Sequence, residues 1–139
     1  MDLEAEFKAV SEGVRHAAVT ASESLTQAGI RHALVGSLAV GAHARPRATL
    51  DVAFIIGNEA FVQNPGGVVT HRSGVPVAPV ESLVLLKLSS RRIQDSADVI
   101  AIVQSGADVP LLREHVRKFE PALVARLDDL AIRAETEPD

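Results

Sequence analysis

The stretch LVGSLAVGAHARPRATLDVAFII, residues 34–56, contains the elements that decide the fold. Residues 30–36, IRHALVG, are mostly apolar and partly β-branched, which predicts a short strand. Residues 37–44, SLAVGAHA, predict a short helix of small side chains, and residues 49–56, TLDVAFII, predict a second, buried strand. A strand, a Gly-Ser turn that opens a helix and a further strand are typical of a domain that mixes helices with a sheet.

A long amphipathic helix is predicted before this stretch. Its apolar residues recur at spacings of three and four, which indicates one helix over residues 3–28 with Gly29 as its end. The members of this stripe are Leu3, Phe7, Val10, Val14, Ala17, Ala21, Leu25 and Ala28. Heptad spacing is found in helices that pair with a second copy in a homodimer, and also in helices that pack on the chain's own sheet, so both interpretations stay open.

The rest of the chain changes from strand signals to helix signals. The runs VVTHR (68–72) and VPVAPV (75–80) are separated by a Ser-Gly turn and predict a short hairpin, whereas residues 80–134 have a helical period. Gly106 and Asp108 mark the end of one helix and the start of the next. We therefore predict one α+β domain with α/β-like element order, in which a small mixed sheet (sheet core 30–79) is flanked by helices and followed by a C-terminal helical part.

The composition limits the classes of protein to consider. The chain has 139 residues, of which 47% are hydrophobic, and this is enough for the core of one domain. It contains no apolar run long enough for a membrane span and no basic, apolar leader at its start, so we expect a cytoplasmic protein. Because there is no cysteine, disulfides and thiolate chemistry are excluded, and a metal would need carboxylate, histidine or water ligands.

The charge distribution bears on the ligands that the chain can bind. The net charge is −4, yet residues 31–95 carry seven basic and four acidic side chains. A basic middle in an acidic chain argues against broad binding of duplex nucleic acid and favours a small anion. Ordinary solvated arginines explain the same pattern. Aromatic platforms for single-stranded nucleic acid are not expected, because the chain has four Phe and no Trp or Tyr.

One group of residues in the opening stretch has the chemistry of a phosphate site. Gly36 and Ser37 precede a helix whose first N–H groups can bind phosphate oxygens together with the serine hydroxyl. Arg45 and Arg47 can neutralise the same anion, and Asp51 can hold Mg²⁺ beside it. A Gly-Ser pair is also a common helix cap, and Asp51 can simply pair with either arginine. The local chemistry leaves these alternatives open.

The ordered set of motifs resembles the minimal nucleotidyltransferases of the DNA polymerase β superfamily, especially the AbiEii-like and MNT-like bacterial groups. That family has a strand, a Gly-Gly or Gly-Ser that opens a helix, an Arg-x-Thr, and Asp-x-Asp on the next strand. The matching residues here are Gly36, Ser37, Gly41, Arg47, Thr49 and Asp51. Downstream, the counterparts of the family's Lys-bearing and Arg-Asp-Asp helices are Lys87, Arg91, Asp95 and Asp98. The resemblance covers most of residues 30–120.

This resemblance implies a nucleotide site and a magnesium ion that accompanies the nucleotide. The implied nucleotide-binding residues are Gly36, Ser37, Arg45, Arg47, Thr49 and Lys87. The implied metal ligand and candidate catalytic carboxylate is Asp51. Paired carboxylates in such enzymes hold two metal ions that activate the attacking hydroxyl and stabilise the leaving pyrophosphate.

The chain departs from the family at the second acid, where it has Ala53. The segment that carries the family's third acid is shorter here, and its sole acid is Glu59. These losses predict a degenerate nucleotidyltransferase fold that is catalytically inactive and acts as a nucleotide-binding, anion-binding or regulatory module, with a protein partner of the toxin–antitoxin type. The alternatives are an active enzyme that transfers a nucleoside monophosphate from an NTP with Mg²⁺, and a structural dimerisation protein without a ligand.

Overall fold

The computed structural model describes residues 3–44, 51–57, 69–71, 73–90 and 92–138. The chain divides into two compact units, which we call the sheet unit (Met1–Ala42 with Pro46–Pro79) and the helical unit (His43–Arg45 with Val80–Asp139). Helices and a mixed sheet are both present, which confirms the predicted α+β class. That all 139 residues form a single domain stays a prediction.

The elements follow one another in the predicted order. The first six are α1 (Leu3–Gln27), β1 (His32–Val35), α2 (Gly36–His43), β2 (Ala53–Ile56), β3 (Val69–Thr70) and β4 (Pro76–Val77). The next are α3 (Val80–Ser89), α4 (Ile93–Gln104), α5 (Val109–Phe119), a 3₁₀ turn (Pro121–Leu123) and α6 (Val124–Thr136). None of the helices in the described part of the chain combines the length and the apolar character that a bilayer span needs.

The described strands form one mixed sheet in the order β2-β1-β4-β3. β1 and β2 are antiparallel with Leu34 opposite Phe54, whereas β1 and β4 are parallel with Leu34 opposite Val77. The predicted hairpin is confirmed, since β3 and β4 are antiparallel partners. Pro76 is the first residue of β4, a position where a missing N–H is tolerated even in a central strand.

β2 differs from the buried strand predicted over residues 49–56. It begins at Ala53, and it lies at an edge of the described sheet with β1 on one side. Ala53 is exposed, and Ile56 is 56% exposed. The prediction of a buried strand is wrong because an apolar run reports the local preference for a strand, whereas burial depends on which neighbours cover it.

The long N-terminal helix is confirmed, but its inward face is displaced from the predicted stripe. Ala18 and Ser22 are buried in the second half of α1, whereas Ala17 of the stripe is exposed. A helix has 3.6 residues per turn, so a strict heptad pattern drifts around a straight helix. The face that packs on the sheet therefore includes positions next to the apolar ones.

The helical unit has its own apolar core, and its helix ends agree with the sequence signals. The fully buried core side chains include Leu83, Val99, Leu112 and Leu127. The Asp108 carboxylate accepts a hydrogen bond of 3.1 Å from the backbone N–H of Leu111, which confirms it as the N-cap of α5. Gly106 has φ of +97°, a left-handed conformation that glycine adopts without strain, just after α4.

Candidate functional site

The Gly36–Ser37 turn joins β1 directly to the N-terminus of α2. Gly36 has φ of +76°, where a side chain would strain the backbone, so glycine suits this sharp change from strand to helix. A Cβ atom built at Gly36 would lie 3.7 Å from the Cβ of Ala53. Because Val35 pairs with Ala53 across β1 and β2, the start of α2 and the start of β2 lie side by side.

Three of the predicted site residues belong to the described part of the sheet unit. Gly36 and Ser37 open α2, and Asp51 precedes β2 by two residues and is exposed. Arg45, Arg47 and Thr49 lie outside the described residues, as does Glu59. The structure thus gives the positions of the predicted turn and of the predicted metal ligand, while the roles of all these residues stay predictions.

The Gly36–Ser37 turn has the elements of an anion site, and Asp51 is a possible oxygen donor for a cation. The first N–H groups of a helix attract negative charge, and a carboxylate such as that of Asp51 can hold a metal ion that the anion shares. Ala53 offers no ligand atom at the neighbouring position. Among the described residues, no three His, Asp or Glu side chains are grouped in a way that could hold a metal ion.

Lys87, the sixth predicted nucleotide ligand, lies in the helical unit on α3 and is almost fully buried. Its ammonium Nζ is 2.9 Å from Asp95 Oδ1 and 2.9 Å from Asp98 Oδ2, both on α4. The three side chains are 8%, 1% and 3% exposed. A buried charge of this kind needs compensation, and the two carboxylates supply it. The structure therefore shows Lys87 in an ion-pair cluster within its own unit, and a contact with nucleotide stays a prediction.

Asp95 accepts hydrogen bonds from several neighbours in this cluster. It accepts hydrogen bonds from Lys87, from the hydroxyl of Ser90, and from Arg92 Nε at 2.8 Å and Nη2 at 3.2 Å. Gln94 Nε2 donates to Asp98 at 3.1 Å. Burial on its own would raise the pKa of the Asp95 carboxyl, but the bonds from Arg92, Ser90 and Lys87 outweigh it and hold that pKa well below its usual range.

This lowered pKa predicts that Asp95 stabilises the helical unit above about pH 5 and loses that effect in acid. The unfolded chain takes up the proton first, near pH 4, because the folded pKa is the lower one. We expect the stability difference between wild type and Asp95→Asn to shrink by about 1 kcal/mol from pH 5 to pH 3. Urea unfolding followed by circular dichroism measures it, and a difference that is constant or grows in acid would contradict the assignment.

Sequence reasoning missed a buried polar pair, Ser22 and His32, which joins α1 to β1 in the sheet unit. His32 Nδ1 lies 2.9 Å from the carbonyl oxygen of Ile30, and Ser22 Oγ lies 2.7 Å from His32 Nε2. The carbonyl can only accept, so Nδ1 carries a proton, and in the neutral imidazole Ser22 donates to Nε2. Ser22 and His32 are 4% and 6% exposed. The available signal was a lone histidine inside an otherwise apolar strand.

A groove with a volume of about 310 Å³ lies beside this pair, between α1 and the turn that joins β3 to β4. Its lining residues are Val19, Ser22, Glu23, Thr26, Gln27, Ser73, Gly74 and Val75. Ser22 therefore belongs both to the buried pair and to the wall of the groove.

In comparisons with known proteins, the chain matches no protein-family model and no curated protein sequence.

Proposed function

We propose that the sheet unit is a nucleotidyltransferase-type module that binds a nucleotide or another small anion and does not catalyse transfer. The anion would contact the N-terminus of α2 at Gly36 and Ser37, with Asp51 as ligand of an accompanying Mg²⁺. The proposal rests on the motif resemblance together with one geometric observation, the position of Ala53.

Ala53 lies beside the turn where the resemblance predicts the second metal-binding carboxylate. A Cβ built at Gly36 would lie 3.7 Å from the Ala53 Cβ. The side chain of an acid at position 53 would therefore begin next to the N-terminus of α2. Ala53 is also exposed, so a longer side chain has room to extend. The backbone thus leaves space for a carboxylate at position 53 as well as at position 51, and the chain has one only at position 51.

Losing one carboxylate affects catalysis more strongly than binding. Two-metal phosphoryl transfer needs both ions to activate the nucleophile and to neutralise the leaving group. Binding an anion needs only N–H donors, one or more positive charges and an open turn. The proposed function is therefore recognition of the ligand, and a protein partner that reads the bound state would give the module a regulatory role.

The test is a calorimetric titration of each of the four NTPs with Mg²⁺ into the wild type and three variants. We expect Asp51→Asn to weaken binding about tenfold and Ala53→Asp to strengthen Mg²⁺-dependent binding about tenfold, since each change removes or adds one charged ligand. Ala53→Asn is the matched control, because it adds the same shape without the charge. We expect no transfer of labelled nucleotide by the wild type.

Two results would contradict the proposal in different ways. The absence of binding to the wild type and to Ala53→Asp would show that the turn is not a nucleotide site. Transfer of labelled nucleotide by the wild type, abolished in Asp51→Asn, would show an active enzyme instead of a binding module.

A further inference from the structure

We propose that Ser22 is a nucleophilic serine, activated by His32, that accepts an acyl group from a small uncharged or cationic ester entering the groove beside α1. This site is separate in its residues from the Gly36–Ser37 turn, and it does not depend on nucleotide binding.

The two hydrogen bonds of the His32 ring match the arrangement that activates a serine hydroxyl. The Ile30 carbonyl holds the proton on Nδ1, which leaves the Nε2 lone pair directed at the Ser22 hydroxyl. A nucleophile bonded to a base, with the base oriented by a third group, is the arrangement by which serine hydroxyls become reactive. Here a backbone carbonyl is the orienting group.

Burial strengthens the hydrogen bond between Ser22 and His32, and Ser22 still lines the groove. Ser22 and His32 are both more than nine-tenths buried, so little water competes for the bond between them. Ser22 also lines the groove of about 310 Å³, which has room for a small ester. Ser22 thus has a base as its hydrogen-bond partner and lies in the wall of a cavity that an electrophile can enter.

The lining residues indicate the class of acyl donor. Among the described residues that line the groove, Glu23 carries the one charge, and its carboxylate disfavours a negatively charged ester and tolerates an uncharged or cationic one. Thr26 and Gln27 add a hydroxyl and an amide that can donate to the oxygen on which negative charge develops.

The proposed step is acyl transfer to the serine. A bond forms between Ser22 Oγ and the acyl carbon, while the hydroxyl proton moves to His32 Nε2. The bond from the acyl carbon to the ester oxygen breaks, and the leaving alkoxide or phenolate takes the proton from Nε2. No oxidant, reductant or metal is needed.

A second serine–histidine pair, whose serine lines the same groove, gives an internal control. The hydroxyl of Ser73 lies 2.8 Å from His71 Nδ1, but the backbone N–H of Ser73 also donates to that nitrogen at 3.2 Å. The lone pair is therefore shared, and both residues are exposed to water. We expect Ser73 to be the weaker nucleophile although it lines the same cavity.

The experiment treats the folded wild type with p-nitrophenyl acetate and maps acetylated residues by peptide mass spectrometry. We expect Ser22 to be acetylated at least about 100-fold faster than Ser73, the size of a general-base effect. Ser73→Ala should keep the fast phase of nitrophenolate release, and Ser22→Ala and His32→Gln should lose it, with folding checked by circular dichroism.

The comparison within the wild type decides the question even if a variant fails to fold. Acetylation of Ser22 no faster than that of Ser73 overturns the proposal, as does a fast phase that persists in folded Ser22→Ala. Because these readouts involve no nucleotide, failure here leaves the titrations at the α2 turn unaffected.

Discussion

Lys87→Met is expected to destabilise the helical unit by about 3–5 kcal/mol. The substitution keeps a long apolar side chain but removes the ammonium that lies 2.9 Å from each of two buried carboxylates. Asp95 and Asp98 are then left as buried negative charges that repel each other, a cost that the remaining hydrogen bonds offset only in part. Urea unfolding followed by the helical circular-dichroism signal measures the loss, since the chain has no Trp or Tyr for fluorescence.

Two further variants separate this effect from the general cost of losing a lysine. Lys118→Met changes an exposed lysine of α5, and we expect its effect to stay within about 0.5 kcal/mol. Adding Asp95→Asn and Asp98→Asn to Lys87→Met removes the two carboxylate charges that have lost the lysine, so the triple variant should be more stable than Lys87→Met alone. A loss below about 1 kcal/mol in Lys87→Met would mean that the cluster is not buried in solution.

Leu127→Ala is expected to cost about 2–5 kcal/mol of stability. Leu127 on α6 has no exposed surface, so truncation removes apolar contacts and leaves a cavity in the core of the helical unit. The same urea unfolding experiment applies. The result depends on burial alone, since the side chain is uncharged and makes no hydrogen bond.

Ile132→Ala is the matched control for this core variant. Ile132 lies on the same helix but is 62% exposed, so we expect a change within about 0.5 kcal/mol. Equal losses of stability in Leu127→Ala and Ile132→Ala would contradict the packing of α6. In that packing Leu127 is a core residue and Ile132, which is of similar size, is a surface residue.

The element types were largely predictable because they depend on short-range chemistry. The periodicity of residues 3–28 predicted α1 almost to its ends, and Asp108 was recognisable as a cap because it precedes a helical run that contains Pro110. The Gly36–Ser37 turn was equally recognisable, since a strand pattern changes there to a helix pattern at a glycine. In each case the deciding residues are neighbours in the chain.

The candidate sites were predictable only in part. Motif order led to the prediction of a site at Asp51 and the α2 turn, which stays a prediction, but it did not indicate the Ser22–His32 pair, because its members belong to different elements and neither has a motif of its own. Lys87 was assigned to a nucleotide from its place in a motif, whereas the structure gives its ammonium two carboxylate partners. The order of motifs predicts which residue types follow one another along the chain. It does not predict which side chains come within hydrogen-bond distance of one another.

The sequence by itself determined the types and the order of the helices and strands, and it determined that position 53 carries no carboxylate, because both depend on residue identity and local spacing. The tertiary structure decided that β2 is a partly exposed edge of the described sheet, that Lys87 is neutralised by Asp95 and Asp98, and that Ser22 contacts His32. These features require residues from separate elements to come within a few ångströms of one another, and that proximity arises from packing within each unit, which no local pattern specifies.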